Sequence, residues 1–161
     1  ILQLLLPSYQ TYFEPFLGGG ALLYNLLPKN AKIYELNINI YNLYINIKNN
    51  VEEIITQLKV YENVYKNSNN KKQYYLTKRS EYNSLDYSTE ENSKNKTIIL
   101  LFLNKTCFNS LYRENKSGHF NVPVGNIQKK NFTICNQKQL RSVSKYLNAT
   151  ISSSTIWLSM R

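Results

Sequence analysis

The sequence predicts an α/β fold that opens as a doubly wound sheet and continues into a mainly helical, basic segment carrying a β-hairpin. Three observations predict it. Within residues 9–36 a short aromatic strand runs into three glycines, then a helix, then a second strand, the order that starts a doubly wound sheet. Apolar residues then recur at helical spacing, as Ile40, Leu43, Tyr44 and Ile47, and again as Ile54, Ile55, Leu58 and Tyr61. Charge is divided: residues 1–91 hold nine Lys/Arg and nine Asp/Glu, whereas residues 92–161 hold eleven Lys/Arg and the single acid Glu114. The net charge of +10 therefore lies wholly in the second part.

Each element follows from local chemistry. Residues 1–7 read as the tail of a helix. Residues 9–14 form a buried strand, and Pro15 and the glycines form a tight loop. Residues 21–27 are helical until Pro28 stops them, and residues 32–36 form the second strand. Helix resumes after Asn37 and runs through residues 51–65. A polar break covers residues 67–72, a helix residues 73–85, and a polar loop residues 87–95. The apolar run 97–102 is too short for a membrane and predicts a buried helix reaching towards Cys107. Ser117 and Gly118 sit between two extended runs, which suggests a hairpin over residues 113–125. Residues 137–147 return to helix, with Leu140, Val143, Ser144 and Leu147 on one side. The expected organisation is residues 1–50 as the first part of the α/β domain, 51–128 as the helical domain with the hairpin, and 129–161 as a return to the α/β domain.

Composition narrows the class. Apolar content of 42% and charged content of 19% describe a globular chain. No run of about 18 apolar residues exists, so no transmembrane helix and no membrane partner are expected. Cys107 and Cys135 make neither a disulfide framework nor a zinc site, so no metal is expected, and they fit a reducing, cytoplasmic setting. His119 stands alone in a polar turn and reads as solvated. A one-sided cationic surface suits a polyanion.

The sharpest local signal is Phe13-Glu14-Pro15-Phe16-Leu17-Gly18-Gly19-Gly20-Ala21. Glycines let backbone approach a ligand closely because no Cβ intervenes. The helix that follows offers unpaired N–H groups. Such a loop at the carboxyl end of a first strand is where nucleotide-like cofactors bind. It is not the GxGxxG of NAD enzymes, nor a P-loop, since no Gly-Lys-Ser/Thr follows. Glu35, in Tyr34-Glu35-Leu36-Asn37, ends the second strand and is placed to accept both hydroxyls of an adenosine ribose.

A second constellation runs from Lys105 through Phe108-Asn109-Ser110-Leu111-Tyr112-Arg113 to Asn115-Lys116-Ser117-Gly118-His119-Phe120-Asn121-Val122-Pro123-Val124-Gly125. Lys105, Arg113 and Lys116 supply cations, and Phe108 and Tyr112 supply flat faces. Asn109 can pair with a base edge, and Arg113 can grip a guanine edge with two parallel donors.

Together these segments resemble the Dam-type (D12 class) DNA adenine-N6 methyltransferases. Phe-Glu-Pro-Phe-x-Gly-Gly-Gly-Ala is similar to that family's S-adenosylmethionine motif. Asn37 matches an Asp-x-Asn pattern in which Glu35 replaces the usual Asp. The second segment resembles the family's Phe-Asn-Gly-Leu-x-Arg and Phe-Asn-Val-Pro-x-Gly blocks, with Ser110 in place of Gly. The resemblance covers about residues 7–147. It implies a partial Rossmann-like methyltransferase fold with an inserted DNA-recognition domain. S-adenosylmethionine would be bound by Glu14, Pro15, Phe16, Gly18, Gly19, Gly20, Glu35 and Asn37. Glu14 would lie near the methionine end and Glu35 would hold the ribose. Double-stranded DNA would meet Lys105, Phe108, Asn109, Leu111, Arg113, Lys116 and Pro123, with Phe108 as the stacking wedge. The implied reaction is adenine-N6 methylation by a monomer, as in restriction-modification systems, phages or housekeeping pathways.

Other family features do not occur. Asp-Pro-Pro-Tyr, whose carboxylate and proline carbonyl hold the adenine amino group, is not found in the 161 residues. The opening Lys-Trp-x-Gly-Gly-Lys segment is missing, and Ile151-Ser152-Ser153-Ser154 stands where an Asp-Phe pair is expected. Residues 152–161 match nothing in the family. The expectation is therefore a chain that performs no catalysis alone. The alternative is a non-catalytic remnant that only binds DNA.

Overall fold

The computed structural model describes residues 9–126, 132–150 and 156–158. The apolar start at residues 1–7 and the Ile151–Ser154 position lie outside the described residues. The chain forms two compact units, residues 1–48 with 142–161, and residues 49–141.

The first unit is built on a parallel sheet. β1 (Tyr12–Glu14), β2 (Ala31–Glu35) and β3 (Ile156–Leu158) lie in that order. Tyr12 pairs with Ala31 and Glu14 with Ile33, while Ile33 pairs with Ile156 and Glu35 with Leu158. β3 falls in the tail, where three residues are too few for alternation to register in sequence. Strand alternation buries Tyr12, Glu14, Ala31, Ile33 and Glu35 on one face. Phe13 points the other way, exposed, with the Lys32 ammonium 5.6 Å from its ring centroid. α1 (Ala21–Leu26) joins β1 to β2. It ends where Leu27 takes a left-handed φ of 46° just before Pro28. α2 (Ile38–Asn49) follows β2, and Lys48 accepts at its carbonyl from the Ser144 hydroxyl (3.1 Å) and the Asn148 amide (2.8 Å) of α6 (Gln137–Thr150).

The second unit is helical. α3 (Val51–Asn67), α4 (Lys71–Ser84) and α5 (Glu90–Thr106) pack around Tyr61, Tyr65, Tyr74 and Phe102. Their rings meet edge to face, with Tyr65 and Phe102 centroids 5.4 Å apart. α5 starts inside the stretch read as a polar loop. Thr89 accepts the Asn92 N–H at 3.0 Å, and Glu90 and Glu91 occupy the positive end of the helix. Capping sets this boundary; the first two turns are too polar to show periodicity. The expected hairpin is a tight reversal at Gly118 held by one antiparallel bridge, Glu114 to Phe120, rather than a pair of strands. A second bridge joins Cys107 to Val124. The outer edge of the outgoing arm bonds to α4. Asn83 accepts the Phe120 N–H at 2.9 Å and donates to its carbonyl at 3.1 Å. Tyr75 and Arg79 both donate to the Val122 carbonyl, at 2.8 and 3.2 Å.

Candidate functional site

In the first unit, the glycine loop and the acid of β2 are joined directly. Glu35 is 7% exposed; its Oε2 accepts the Gly18 N–H at 2.7 Å and its Oε1 accepts the Asn37 N–H at 2.8 Å. Each carboxylate oxygen keeps a second lone-pair site for an outside hydroxyl. Asn37 also caps α2, accepting from the Asn39 N–H at 2.8 Å. The carboxylate is thus aimed by two backbone amides, one from each flanking loop.

The glycines divide into two roles. Gly18 (φ 48°) and Gly19 have nothing within 4 Å of where a Cβ would stand, so an open face borders the Glu35 carboxylate. Gly20 is buried at φ 67°, and a Cβ there would fall 2.6 Å from the Tyr44 hydroxyl and 2.8 Å from the Tyr24 ring. Tyr44 donates to the Gly18 carbonyl at 3.2 Å and stacks with Tyr24, centroids 6.4 Å apart. Leu17, buried, ties the loop to β2 through a 3.1 Å bond to the Tyr34 carbonyl. Pro15 and Phe16 stand out from the loop, with Phe16 74% exposed.

Glu14 is buried at the end of β1, accepting from the Tyr12 hydroxyl at 2.9 Å. Burial pushes its pKa above the ordinary carboxylate range, against the lowering effect of the Tyr12 bond. A buried acid whose charge opposes folding at neutral pH is a costly core residue.

In the second unit, the exposed residues gather at the end of α5 and along the reversal. Lys105 lies in the last turn of α5. Phe108, 51% exposed, opens a single 3₁₀ turn (Phe108–Ser110) and donates its N–H to the Pro123 carbonyl at 2.9 Å. That bond sets Phe108 and Pro123 side by side. Asn109 and Ser110 both adopt left-handed φ, 53° and 52°. Asn tolerates that region, and Ser is strained in it. Leu111, Arg113, Lys116 and Pro123 are exposed. Phe120 and Val122, each 1% exposed, are the inward alternates that root the arm. Gly125 donates to the Thr106 carbonyl at 2.8 Å, and a Cβ on it would sit 2.4 Å from the Cys107 carbonyl oxygen. A cleft of about 330 Å³ opens beside this turn, lined in part by Lys105, Phe108, Asn109 and Ser110.

Some cations of the basic half are paired within the chain. Lys94 pairs with Glu53 at 2.7 Å, Arg141 with Glu52 at 2.7 Å, and Lys96 bonds to the Leu85 carbonyl. Cys107 and Cys135 are buried thiols whose pKa burial pushes up, which keeps them protonated and unreactive. Among the described residues no group of three or more His, Cys, Asp or Glu could hold a metal ion, and no helix is long and apolar enough to cross a membrane.

Sequence reasoning passes over Tyr44, Asn121 and the α4 trio of Tyr75, Arg79 and Asn83. The trio's four-residue spacing does mark one helix face, but nothing in sequence says that a non-helical arm lies against it.

Comparison with known proteins meets this geometry. The family model described as D12 class N6 adenine-specific DNA methyltransferase matches residues 1–156, so residues 152–156, expected to match nothing in the family, do fall within it. A Type II methyltransferase of Lactococcus lactis subsp. cremoris is 36% identical, over 91% of this chain and 49% of its own length. A Type II methyltransferase of Methanocaldococcus jannaschii is 37% identical over 87% and 49%. The DNA adenine methylase of Vibrio cholerae is 30% identical over 79% and 43%. The chain spans about half the length of the curated relatives it matches.

Proposed function

The chain belongs to the D12 class N6 adenine-specific DNA methyltransferase family, and from that premise we propose that its two units carry the two substrates of adenine-N6 methylation. The sheet unit holds S-adenosylmethionine and the helical unit reads duplex DNA. The observation that carries the reading is the 2.7 Å bond from Gly18 N–H to Glu35, which couples glycine loop and ribose acid into one cradle. The parallel strand order β1-β2-β3 supports the reading, since it is the order one half of a Rossmann-like sheet would have.

The residues fit the donor. The open face over Gly18 and Gly19 admits it without a Cβ in the way. Glu35, already oriented by the Gly18 and Asn37 amides, accepts from the ribose hydroxyls. Glu14, buried at the end of β1, would hold the amino group at the methionine end. Pro15 and Phe16 border that path. When bound, the donor supplies an electrophilic methyl on sulfonium for direct displacement by the adenine amino nitrogen. The chain's own part is positioning, which is where most of such a barrier is overcome.

The helical unit is the DNA-recognition domain. Lys105 and Lys116 meet phosphates, Arg113 meets a guanine edge, and Leu111 and Pro123 meet bases. Phe108, with Asn109 beside it, fills the gap left when the target base leaves the stack. No Asp-Pro-Pro-Tyr occurs among the 161 residues to hold the flipped adenine. The chain by itself therefore binds both substrates and transfers no methyl group. A gel shift with short duplex DNA at two salt concentrations tests the binding half, and affinity should fall steeply with salt. Tritiated-methyl transfer tests the other half, with no label expected in the DNA. Binding indifferent to salt would contradict the DNA reading, and labelled DNA would contradict the inactivity of this chain.

A further inference from the structure

Arg113 is the reversal's one arginine, and its guanidinium is not left to find its own orientation. Its Nε donates to the Asn121 side-chain oxygen at 2.8 Å and its Nη2 to the Asn121 carbonyl at 3.3 Å. The Asn121 N–H in turn bonds the Arg113 carbonyl at 3.2 Å. Of the five guanidinium donors, one edge is thereby taken, and both Nη1 hydrogens and the second Nη2 hydrogen remain for a bidentate contact.

Asn121 is itself fixed from behind. Its neighbours Phe120 and Val122 point inward, each 1% exposed. Their backbone is held by Asn83, Tyr75 and Arg79 of α4 rather than by a neighbouring strand. An exposed arginine on a loop would ordinarily spread over many rotamers, and ordering it on binding costs conformational entropy. Here that ordering is done in advance.

We propose that Asn121 is a positioning residue for base specificity: it clamps the Arg113 guanidinium, backed by α4, so that the outer edge meets a base at one fixed angle. This rests on the reading that the helical unit reads DNA through Arg113. Affinity for DNA in general, which comes from phosphate contacts, depends on other residues. Asn121 thus acts on discrimination more than on binding.

The test is selection by the 161-residue chain from a pool of short duplexes with a randomised centre, followed by sequencing of the bound fraction. Wild type should enrich a site containing a guanine whose preference disappears in Arg113→Ala. Asn121→Ala should lose the same preference, by roughly tenfold, while its affinity for the unselected pool stays within a few-fold of wild type. Asn121→Asp keeps the acceptor oxygen and should retain the preference even though its added negative charge weakens binding throughout. A merely structural Asn121 would give the opposite pattern, with loss of fold in Asn121→Ala and no rescue by Asp; circular dichroism of each variant reads this directly. If Arg113→Ala loses the guanine and a folded Asn121→Ala keeps it, the clamp is refuted and base reading stands. If wild type and Arg113→Ala enrich the same sequences, or neither enriches any, base reading by Arg113 falls and the clamp falls with it.

Discussion

The glycine loop of the sheet unit and the turn after α5 both pass through left-handed backbone, and they do it with different residues. In the sheet unit the turn uses glycine, at Gly18 and Gly20. In the helical unit it uses Asn109 and Ser110. The first loop must leave room: a Cβ at Gly20 would strike Tyr44 and Tyr24, and the space over Gly18 is the open face beside Glu35. The second loop must present side chains, and it accepts strain to do so. Space is the functional quantity in one loop, and displayed chemistry is the functional quantity in the other.

The two loops differ most at Gly20. Gly20→Ala puts a methyl 2.6 Å from a buried tyrosine hydroxyl at a φ of 67°. It should cost about 3 kcal/mol, read as a lowered midpoint in urea denaturation. The two exposed turn positions sharpen the contrast. Gly18→Ala meets no atom and should cost only about 1 kcal/mol, for its φ of 48°. Ser110→Gly should gain about 1 kcal/mol by releasing strain at φ 52°. A destabilised Ser110→Gly would mean that the serine turn is not strained. The smallest effect is at Glu14. Its folded pKa is raised, so its contribution favours the fold below the ordinary glutamate range and is lost as pH rises through the folded value. Glu14→Gln should therefore melt higher than wild type at pH 7, with the gap closing as the pH is lowered to about the ordinary glutamate pKa. Melting curves at stepped pH would check the sign.

The sequence carries both loops more clearly than it carries their supports. Glycines before a helix and an acid after a strand are punctuation that depends on neighbours a few residues away. The order β1, α1, β2 and the separate helical stretch follow from periods that survive in short windows. What stays hidden depends on distant partners. Tyr44 reads as one more core residue of α2, and only folding brings its hydroxyl to the Gly18 carbonyl. Residues 113–125 suggest a hairpin because they are extended, and the arms do pair at isolated bridges, but α4 side chains bond the outer edge of the outgoing arm at Phe120 and Val122, which no short-range pattern reveals. The start of α5 is missed because polar turns conceal a capped helix. The charge count by itself does not say which cations are paired within the chain, and Lys94, Lys96 and Arg141 are.

The most direct test concerns the cradle itself. Isothermal titration of the 161-residue chain with S-adenosylhomocysteine should give saturable binding at one site. Glu35→Ala should weaken that binding at least roughly tenfold, since charge-assisted bonds are worth about 1.5–3 kcal/mol. A folded wild-type chain that takes up no ligand, or a Glu35→Ala variant that binds as tightly as wild type, would contradict the account.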